Sequence, residues 1–315
     1  NADEFPQSAT LGDNAVRVEM EASVLLGGIN RSVFATADDE LRPVMNGIYF
    51  DITTEDITMV ASDGHKLVRC KTLAAKGNER AAFILPKKPA TLLKNLLPKE
   101  QGAVTIEFDE RNAVFMLESY RMVCRLIEGR YPNYNSVIPQ NNPHKVTVDR
   151  QQLIGALRRV SIFSSQASSL IKLRMQENQI VISAQDIDFS TSAEEKIVCS
   201  FDGTELSIGF KATYLIEILS NINSEEVILE LADPSRAGLI VPSENEENVG
   251  ENGNTLQGIQ ERDTVDCHLE RIFLRNHTVV IRITTFDQAA YHFEISTVDI
   301  SIVIIKLDAD HLSFL

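Results

Sequence analysis

The chain has 315 residues, of which 43% are hydrophobic. A chain of this length and composition can bury the cores of two or three domains. Its longest apolar runs are far shorter than the stretch of about 20 apolar residues that a helix needs to cross a bilayer. The four cysteines are scattered along the chain without CxxC spacing: Cys70, Cys124, Cys199 and Cys267. This pattern argues against a zinc site or a disulfide framework and is compatible with a reducing cytoplasm. The formal net charge of −15 by itself argues against a nucleic-acid partner, because phosphate contacts need Lys and Arg.

One pattern of elements occurs twice along the chain. Its first copy opens with an extended segment and a stretch of helical periodicity, continues as short β-type runs, and ends with a second helix and a hairpin. Pro89 fits the first turn of that second helix and prevents the preceding strand from continuing. The predicted elements are residues 16–20, 21–37, 44–53, 56–62, 81–86, 87–97 and 104–117.

The second copy repeats this order at residues 146–150, 151–163, 171–176, 179–184, 205–210, 211–222 and 227–241. Aligning Val18 with Val148 gives an offset of 130, and aligning Phe108 with Leu231 gives 123, so the spacing is kept with small loop changes. The sequence therefore predicts an α+β fold with two homologous domains, residues 15–140 and 141–243. Each domain is expected to pack two helices on antiparallel sheets.

The first 14 residues carry a trace of the same pattern. Phe5-Pro6 precedes Val18 much as Tyr131-Pro132 precedes Val148. Residues 1–14 are therefore expected to be the end of a further upstream domain, with an ordinary polar tail as the alternative.

Three motifs in the first copy make the pattern specific: LRPVMNGIYF at 41–50, ASDGHKL at 61–67 and EGRYPNY at 128–134. In this order they resemble the middle domain of the bacterial sliding clamp, the beta subunit of DNA polymerase III. The resemblance covers roughly residues 1–243. It implies the DNA clamp fold and a non-catalytic processivity factor that encircles duplex DNA and tethers the replicative polymerase.

The second motif contains a tight-turn signal, Asp63-Gly64, followed by a His and a Lys beside an apolar Leu67. This composition suits a shallow apolar pocket with a polar rim. His65 is interpreted as part of that rim; a plain turn histidine and a catalytic base are the alternatives, and no catalytic motif accompanies it. The resemblance implies a client-peptide site at Arg42, Met45, Ser62, Gly64, His65, Lys66, Leu67, Pro132 and Val137.

Basic residues gather on the predicted helices, although the chain as a whole is acidic. In the clamp family two helices per domain line the central hole, so these residues are expected to face DNA and to contact phosphates weakly. Each could equally be an ordinary exposed helix charge. The DNA-facing residues are expected to be Arg31, Lys87, Lys88, Lys94, Arg150, Arg158, Arg159 and Lys211.

The resemblance also implies the partners. They are duplex DNA without sequence preference, the DNA polymerase III alpha subunit, the clamp loader, and other polymerases, mismatch-repair proteins and ligase that carry a short peptide motif. The family forms a homodimeric head-to-tail ring, which this chain is expected not to close without a first domain. No cofactor, metal or membrane is expected. The alternative function is a client-peptide docking module that does not encircle DNA.

Beyond residue 243 the chain departs from the family, which continues into a last strand that completes the client pocket; this strand is expected to be missing. Residues 244–262 have the composition of an acidic flexible linker. Residues 263–315 form an unrecognised tail with strand-like runs at 277–286 and 291–307. The tail is interpreted as foreign sequence or as an appended β element. Its ending, HLSFL, faintly resembles a clamp-binding peptide.

Overall fold

In a computed structural model, the described residues are 11–12, 14–243, 278–281 and 298–304. The chain divides into two compact units, Asn1–Tyr134 and Asn135–Leu315, called here the first and second unit. The expected linker at 244–262 and the HLSFL ending lie outside the described residues, as does most of segment 1–14.

Within its described residues, the first unit contains eight strands and two helices, and each helix is followed by a short 3-10 turn. Its strands form two antiparallel groups, in the orders β1-β6-β7-β8 and β5-β2-β3-β4. The elements are β1 Val16–Glu21, α1 Ala22–Ser32, β2 Gly47–Ile52, β3 Ile57–Ser62, β4 Lys66–Thr72, β5 Ala81–Pro86, α2 Lys87–Leu96, β6 Ala103–Phe108, β7 Asn112–Met116 and β8 Arg121–Arg125.

Aromatic rings help to form the core of the first unit. The Phe50 and Phe83 rings stack with centroids 4.6 Å apart, and the Phe83 and Phe108 rings lie 4.5 Å apart. These residues come from β2, β5 and β6, so the rings connect the two strand groups. Leu25 and Ile29 of α1 are fully buried, as their spacing of four residues on one helix face predicts.

The second unit repeats this architecture. Its strand orders are β13-β10-β11-β12 and β9-β14-β15-β17, and β16 pairs in parallel with β17. The elements are β9 His144–Asp149, α3 Arg150–Ser161, β10 Leu170–Gln176, β11 Gln179–Asp186, β12 Thr191–Val198, β13 Leu206–Lys211, α4 Ala212–Ser220, β14 Glu226–Leu231, β15 Gly238–Pro242, β16 Thr278–Ile281 and β17 Val298–Ile304. The predicted α+β class is confirmed.

The structure corrects one part of the repeat alignment. Phe108 pairs with Val16 and Leu231 pairs with His144, so an offset of 123 at the hairpin requires an offset of 128 at the first strand. The helices that follow the first strands begin at Ala22 and Arg150, which also differ by 128. Val18 therefore corresponds to Val146. The error is two residues because a strand repeats its inward face every second residue, and a two-residue shift keeps the same apolar pattern.

Candidate functional site

The turn between β3 and β4 is organised by one carboxylate. Asp63 Oδ1 accepts hydrogen bonds from the backbone N–H groups of His65 (2.8 Å) and Lys66 (2.9 Å). Asp63 Oδ2 lies 2.8 Å from Lys66 Nζ, and the Lys66 side chain is only 7% exposed. The turn therefore holds the Lys66 ammonium against its own backbone, while the His65 side chain is exposed.

Ser62 secures the other side of the same turn. Its hydroxyl donates to the Lys66 carbonyl (2.9 Å) and accepts from the Gly64 N–H (3.1 Å). Ser62 and Leu67 face each other at the end of the β3–β4 ladder, and both are buried. Together these bonds give the turn a fixed backbone from which His65 projects.

A loop before β2 brings Arg42 over this turn. Asp39 accepts from Arg42 Nε at 2.7 Å and from the Leu41 N–H at 2.8 Å, and the Asn46 side chain bonds both the N–H and the carbonyl of Asp39 at 2.9 Å. The Arg42 guanidinium donates to the Asp63 carbonyl at 3.3 Å. It also holds the pKa of the Asp39 carboxyl below its usual value.

Glycine is required at the point where loop and turn meet. Gly64 has a φ of +90°, a backbone conformation that residues with a side chain rarely adopt. A Cβ atom built at this position would lie 2.6 Å from an Arg42 guanidinium nitrogen. The Arg42 loop also carries Met45, which is buried. The loop and the turn thus pack tightly against each other.

A third segment reaches the same place from the end of the first unit. The Tyr131 ring stacks on Tyr49 with centroids 4.8 Å apart. Burial raises the pKa of the Tyr131 phenol, and the nearby negative charge of Asp63 raises this pKa further. The Ser62 backbone lowers the same pKa by a smaller amount than burial raises it. Tyr131 therefore lies beneath the turn, while Pro132 beside it is exposed.

Eight of the nine residues expected at the client site thus lie on three adjoining segments of the first unit. The ninth, Val137, ends the 3-10 turn Tyr134–Val137 and belongs to the second unit. The sequence did not indicate Asp39 or Asn46, which hold Arg42 in place. A short loop fixed by side-chain bonds has no periodicity that would reveal it.

The second unit contains the same turn with different side chains. Asp186 Oδ1 accepts from the N–H groups of Asp188 (3.0 Å) and Phe189 (3.2 Å), as Asp63 does for the residues two and three positions later. Here the tip is apolar: Ile187 is 62% and Phe189 77% exposed. The sequence motifs gave no indication of this pair.

Several of the basic residues expected to face DNA form hydrogen bonds or ion pairs with other groups of the chain. The Arg150 guanidinium donates to the carbonyls of Ser224 (2.6 Å) and Leu219 (3.1 Å), beside the end of α4. Arg159 forms a two-point pair with Glu195 of β12, which raises the pKa of the Arg159 guanidinium.

Three further basic residues also have a neighbour. Lys87 Nζ lies 3.1 Å from Asp38, Lys211 Nζ lies 5.0 Å from the Tyr214 ring centroid, and the Arg31 guanidinium folds back toward Gly27. Arg31 and Arg159 occupy the same position in the first helix of each unit, since α1 and α3 begin at Ala22 and Arg150. The remaining three are exposed and form no ion pair within the described part of the chain: Lys88, Lys94 and Arg158.

Among the described residues, no group of three or more His, Cys, Asp and Glu side chains is placed to hold a metal ion. Within the same residues, no helix has the length and apolar content that a membrane crossing requires.

Comparison with known proteins shows what the two units are similar to. Residues 19–133 match the family model of the DNA polymerase III beta subunit, central domain, and residues 135–250 match that of its C-terminal domain. The beta sliding clamp of Pseudomonas putida is 29% identical over 248 residues, which cover 78% of this chain and 67% of the relative. That of Treponema pallidum is 30% identical over 238 residues, 74% and 62% of the two chains.

Solved structures agree. The DnaN sliding clamp of Pseudomonas aeruginosa bound to griselimycin aligns with a TM-score of 0.74 at 28% identity, covering 78% of this chain and 66% of the clamp. That of Bartonella birtlesii aligns with a TM-score of 0.72 at 31% identity, covering 78% and 67%. The chain thus spans about two thirds of the length of the relatives it matches.

Proposed function

Because this chain belongs to the bacterial beta sliding clamp family, the beta subunit of DNA polymerase III, we propose that it acts in DNA replication as a sliding clamp. In this function it encircles duplex DNA in the bacterial cytoplasm and tethers the replicative polymerase and other clients without a catalytic step. The observation that carries the proposal is the match of both units, in order, to consecutive domains of that subunit.

The convergence of three segments in the first unit supports a client-peptide site. The rigid β3–β4 turn, the Arg42 loop and the Tyr131-Pro132 segment meet at a surface with buried apolar walls and exposed polar groups. A short apolar peptide can insert side chains beside Leu67 and Met45 while its polar groups meet Arg42 and His65. The proposed clients are the polymerase III alpha subunit, the clamp loader, and other polymerases, mismatch-repair proteins and ligase.

The bonding of the turn supports a non-catalytic role for His65. A histidine that acts as a general base needs a carboxylate that orients its ring, yet the Asp63 carboxylate already binds two backbone N–H groups and the Lys66 ammonium.

Burial raises the pKa of the Cys124 and Cys199 thiols to about 11, so both thiols are protonated and weakly nucleophilic at neutral pH.

Exposed helix cations support weak contacts with DNA. Lys88, Lys94 and Arg158 project from α2 and α3, and their charges are not consumed by ion pairs within the described residues. Phosphate contacts by such residues carry no sequence information. A clamp that slides needs this kind of weak, sequence-independent attraction.

The free edge of the second unit supports association with another clamp domain. Strand β12 ends its sheet without a partner strand among the described elements, and an open edge invites pairing with another chain. Large exposed apolar side chains also occur on this strand, on the turn before it and just after α3: Ile162, Phe163, Ile187, Phe189 and Val198. We propose that a clamp domain of another chain docks at this surface, whereas copies of this chain alone are not expected to close the ring.

The test is a titration of the full chain with a fluorescent peptide that carries the motif Gln-Leu-x-Leu-Phe, the type of clamp-binding peptide that the HLSFL ending faintly resembles. His65→Ala and Pro132→Ala should each weaken binding several-fold, because both side chains are exposed at the rim. Asp188→Ala is the matched control, since Asp188 occupies the position of His65 in the equivalent turn of the second unit. A chain that does not bind the peptide, or binding that these variants leave unchanged, would refute the client site.

The alternative function, a docking module that does not encircle DNA, is favoured by one observation. Arg159 and Lys87 are paired with carboxylates of the chain, and the Arg150 guanidinium is held by backbone carbonyls, so fewer cations are available to phosphate than the sequence suggested. Peptide binding without any salt-sensitive association with duplex DNA would select this alternative.

A further inference from the structure

The two units build the same sheet from different parts of the chain. In the first unit the order is β1-β6-β7-β8, and β8 follows β7 after the short connection at residues 117–120. In the second unit the order is β9-β14-β15-β17. Its fourth strand is Val298–Ile304, which is separated from β15 by residues 243–297.

Equivalent positions in the two sheets can be identified from their inner strands. Buried Ile106 of β6 pairs with Phe115 of β7, and buried Leu229 of β14 pairs with Ile240 of β15. Since Ile106 and Leu229 differ by the hairpin offset of 123, Phe115 and Ile240 are equivalent.

The fourth strand pairs with the same stretch of the third strand in both units. Strand β8 pairs antiparallel with β7, and β17 pairs antiparallel with β15. The paired positions of β15 are equivalent to paired positions of β7. The pairs are Ala113 with Cys124, Val114 with Val123 and Phe115 with Met122 in the first unit, and Gly238 with Ile304, Leu239 with Val303 and Ile240 with Ile302 in the second.

The second unit needs a strand at this position. Leu239, Ile240 and Val241 of β15 are all buried, and a strand of this composition at an open edge would expose a row of unpaired backbone groups beside apolar surface. The segment VDISIVI supplies residues of high strand propensity for that edge.

We propose that residues 298–304 are the counterpart of strand β8 in the second unit and an integral part of its fold. The segment takes the place of β8 in the repeat, although it follows a long acidic stretch of sequence and does not resemble the family. This segment is therefore a structural component of the unit, which favours the interpretation of the tail as an appended β element.

Cysteine cross-linking in the full chain tests the register. The variant Leu239→Cys/Val303→Cys places two thiols directly opposite each other, where Cβ atoms are about 5 Å apart. The matched control, Leu239→Cys/Asp299→Cys, moves one thiol four residues along the strand, about 13 Å away, which is too far for a disulfide. Mild oxidation followed by peptide mapping should give at least about tenfold more disulfide in the first variant, and mapping separates it from bonds to native cysteines.

Hydrogen exchange tests the same pairing in the unmodified chain, so that its result does not depend on how cysteine substitutions affect the fold. The amides of residues 302–304 should exchange at least about 100-fold more slowly than those of an unstructured peptide, as ladder amides do, and comparably with residues 122–124 of β8. Equal cross-linking in the two cysteine variants, or free exchange at 302–304, would overturn the proposal.

Discussion

At the scale of single residues, an ion pair lies inside the first unit, at the end of the β3–β4 ladder away from the Asp63-Gly64 turn. Lys71 Nζ lies 2.9 Å from Asp56 Oδ2, and the two side chains are 10% and 7% exposed. Asp56 also accepts from the Thr58 hydroxyl at 3.5 Å. Two buried charges of this kind stabilise the fold only while both are present, because either one alone is left desolvated.

Replacing one partner should therefore be costly. Lys71→Met is expected to lower the free energy of unfolding by about 3 to 5 kcal/mol, measured by urea denaturation. The control is Lys196→Met, which removes the exposed pair with Glu194 (4.0 Å; 60% and 50% exposed) and should cost less than about 1 kcal/mol. Similar losses in both variants would show that the buried pair has no special role.

Asp39 is the residue that holds Arg42 at the rim. Asp39→Ala should weaken client-peptide binding about threefold to tenfold, the size expected for a freed rim charge, as measured by fluorescence anisotropy. Asp233→Ala is the control, because Asp233 pairs with Arg236 at the same three-residue spacing in the second unit. Equal affinities of the two variants would contradict the positioning role.

The same carboxylate sets a pH expectation. The pKa of Asp39 lies below its usual value because of the Arg42 hydrogen bond, so the contact is fully formed above the ordinary Asp pKa and is lost only as the pH falls through the depressed value. Peptide affinity should therefore show no titration from Asp39 between about pH 6 and pH 8.

At the scale of elements, the sequence revealed those with a clear hydrophobic period. Helices α1 to α4 were predicted because their apolar residues recur on one face. Strands β4 and β12 were missed for opposite reasons: β4 is buried at all but one position, whereas β12, TSAEEKIV, is exposed at most of its positions. Neither shows the alternation that marks a half-buried strand. In the site, Asp63-Gly64 signalled its turn, but the Asp39 loop carried no such signal.

Two glycines allow the turn to be tested against a matched position. Gly64 and Gly102 both have positive φ, +90° and +106°, but only at Gly64 would a Cβ meet another side chain, that of Arg42. Each Gly→Ala change should lower stability by about 1 kcal/mol through backbone strain, measured by thermal unfolding. Only Gly64→Ala should also weaken peptide binding. Loss of binding in both variants would point to general destabilisation.

At the scale of the whole molecule, an acidic chain can still attract DNA if its cations are concentrated on particular elements. The formal net charge is −15, yet Lys88, Lys94 and Arg158 are exposed on helices, while many acidic side chains lie in turns and on β12. The field near those helices decides whether phosphate is attracted, and the net charge does not.

The salt dependence of DNA association measures how many of these cations contact phosphate. Each of Lys88→Gln, Lys94→Gln and Arg158→Gln should lower the slope of log affinity against log salt concentration by about 0.9. Arg159→Gln should change it less, because Glu195 already neutralises that guanidinium. Arg17→Gln on strand β1, 62% exposed and away from the helices, serves as the control and should leave the slope unchanged. A slope that responds to Arg17 and not to the helix cations would place DNA against the sheet and refute the helix-lined path.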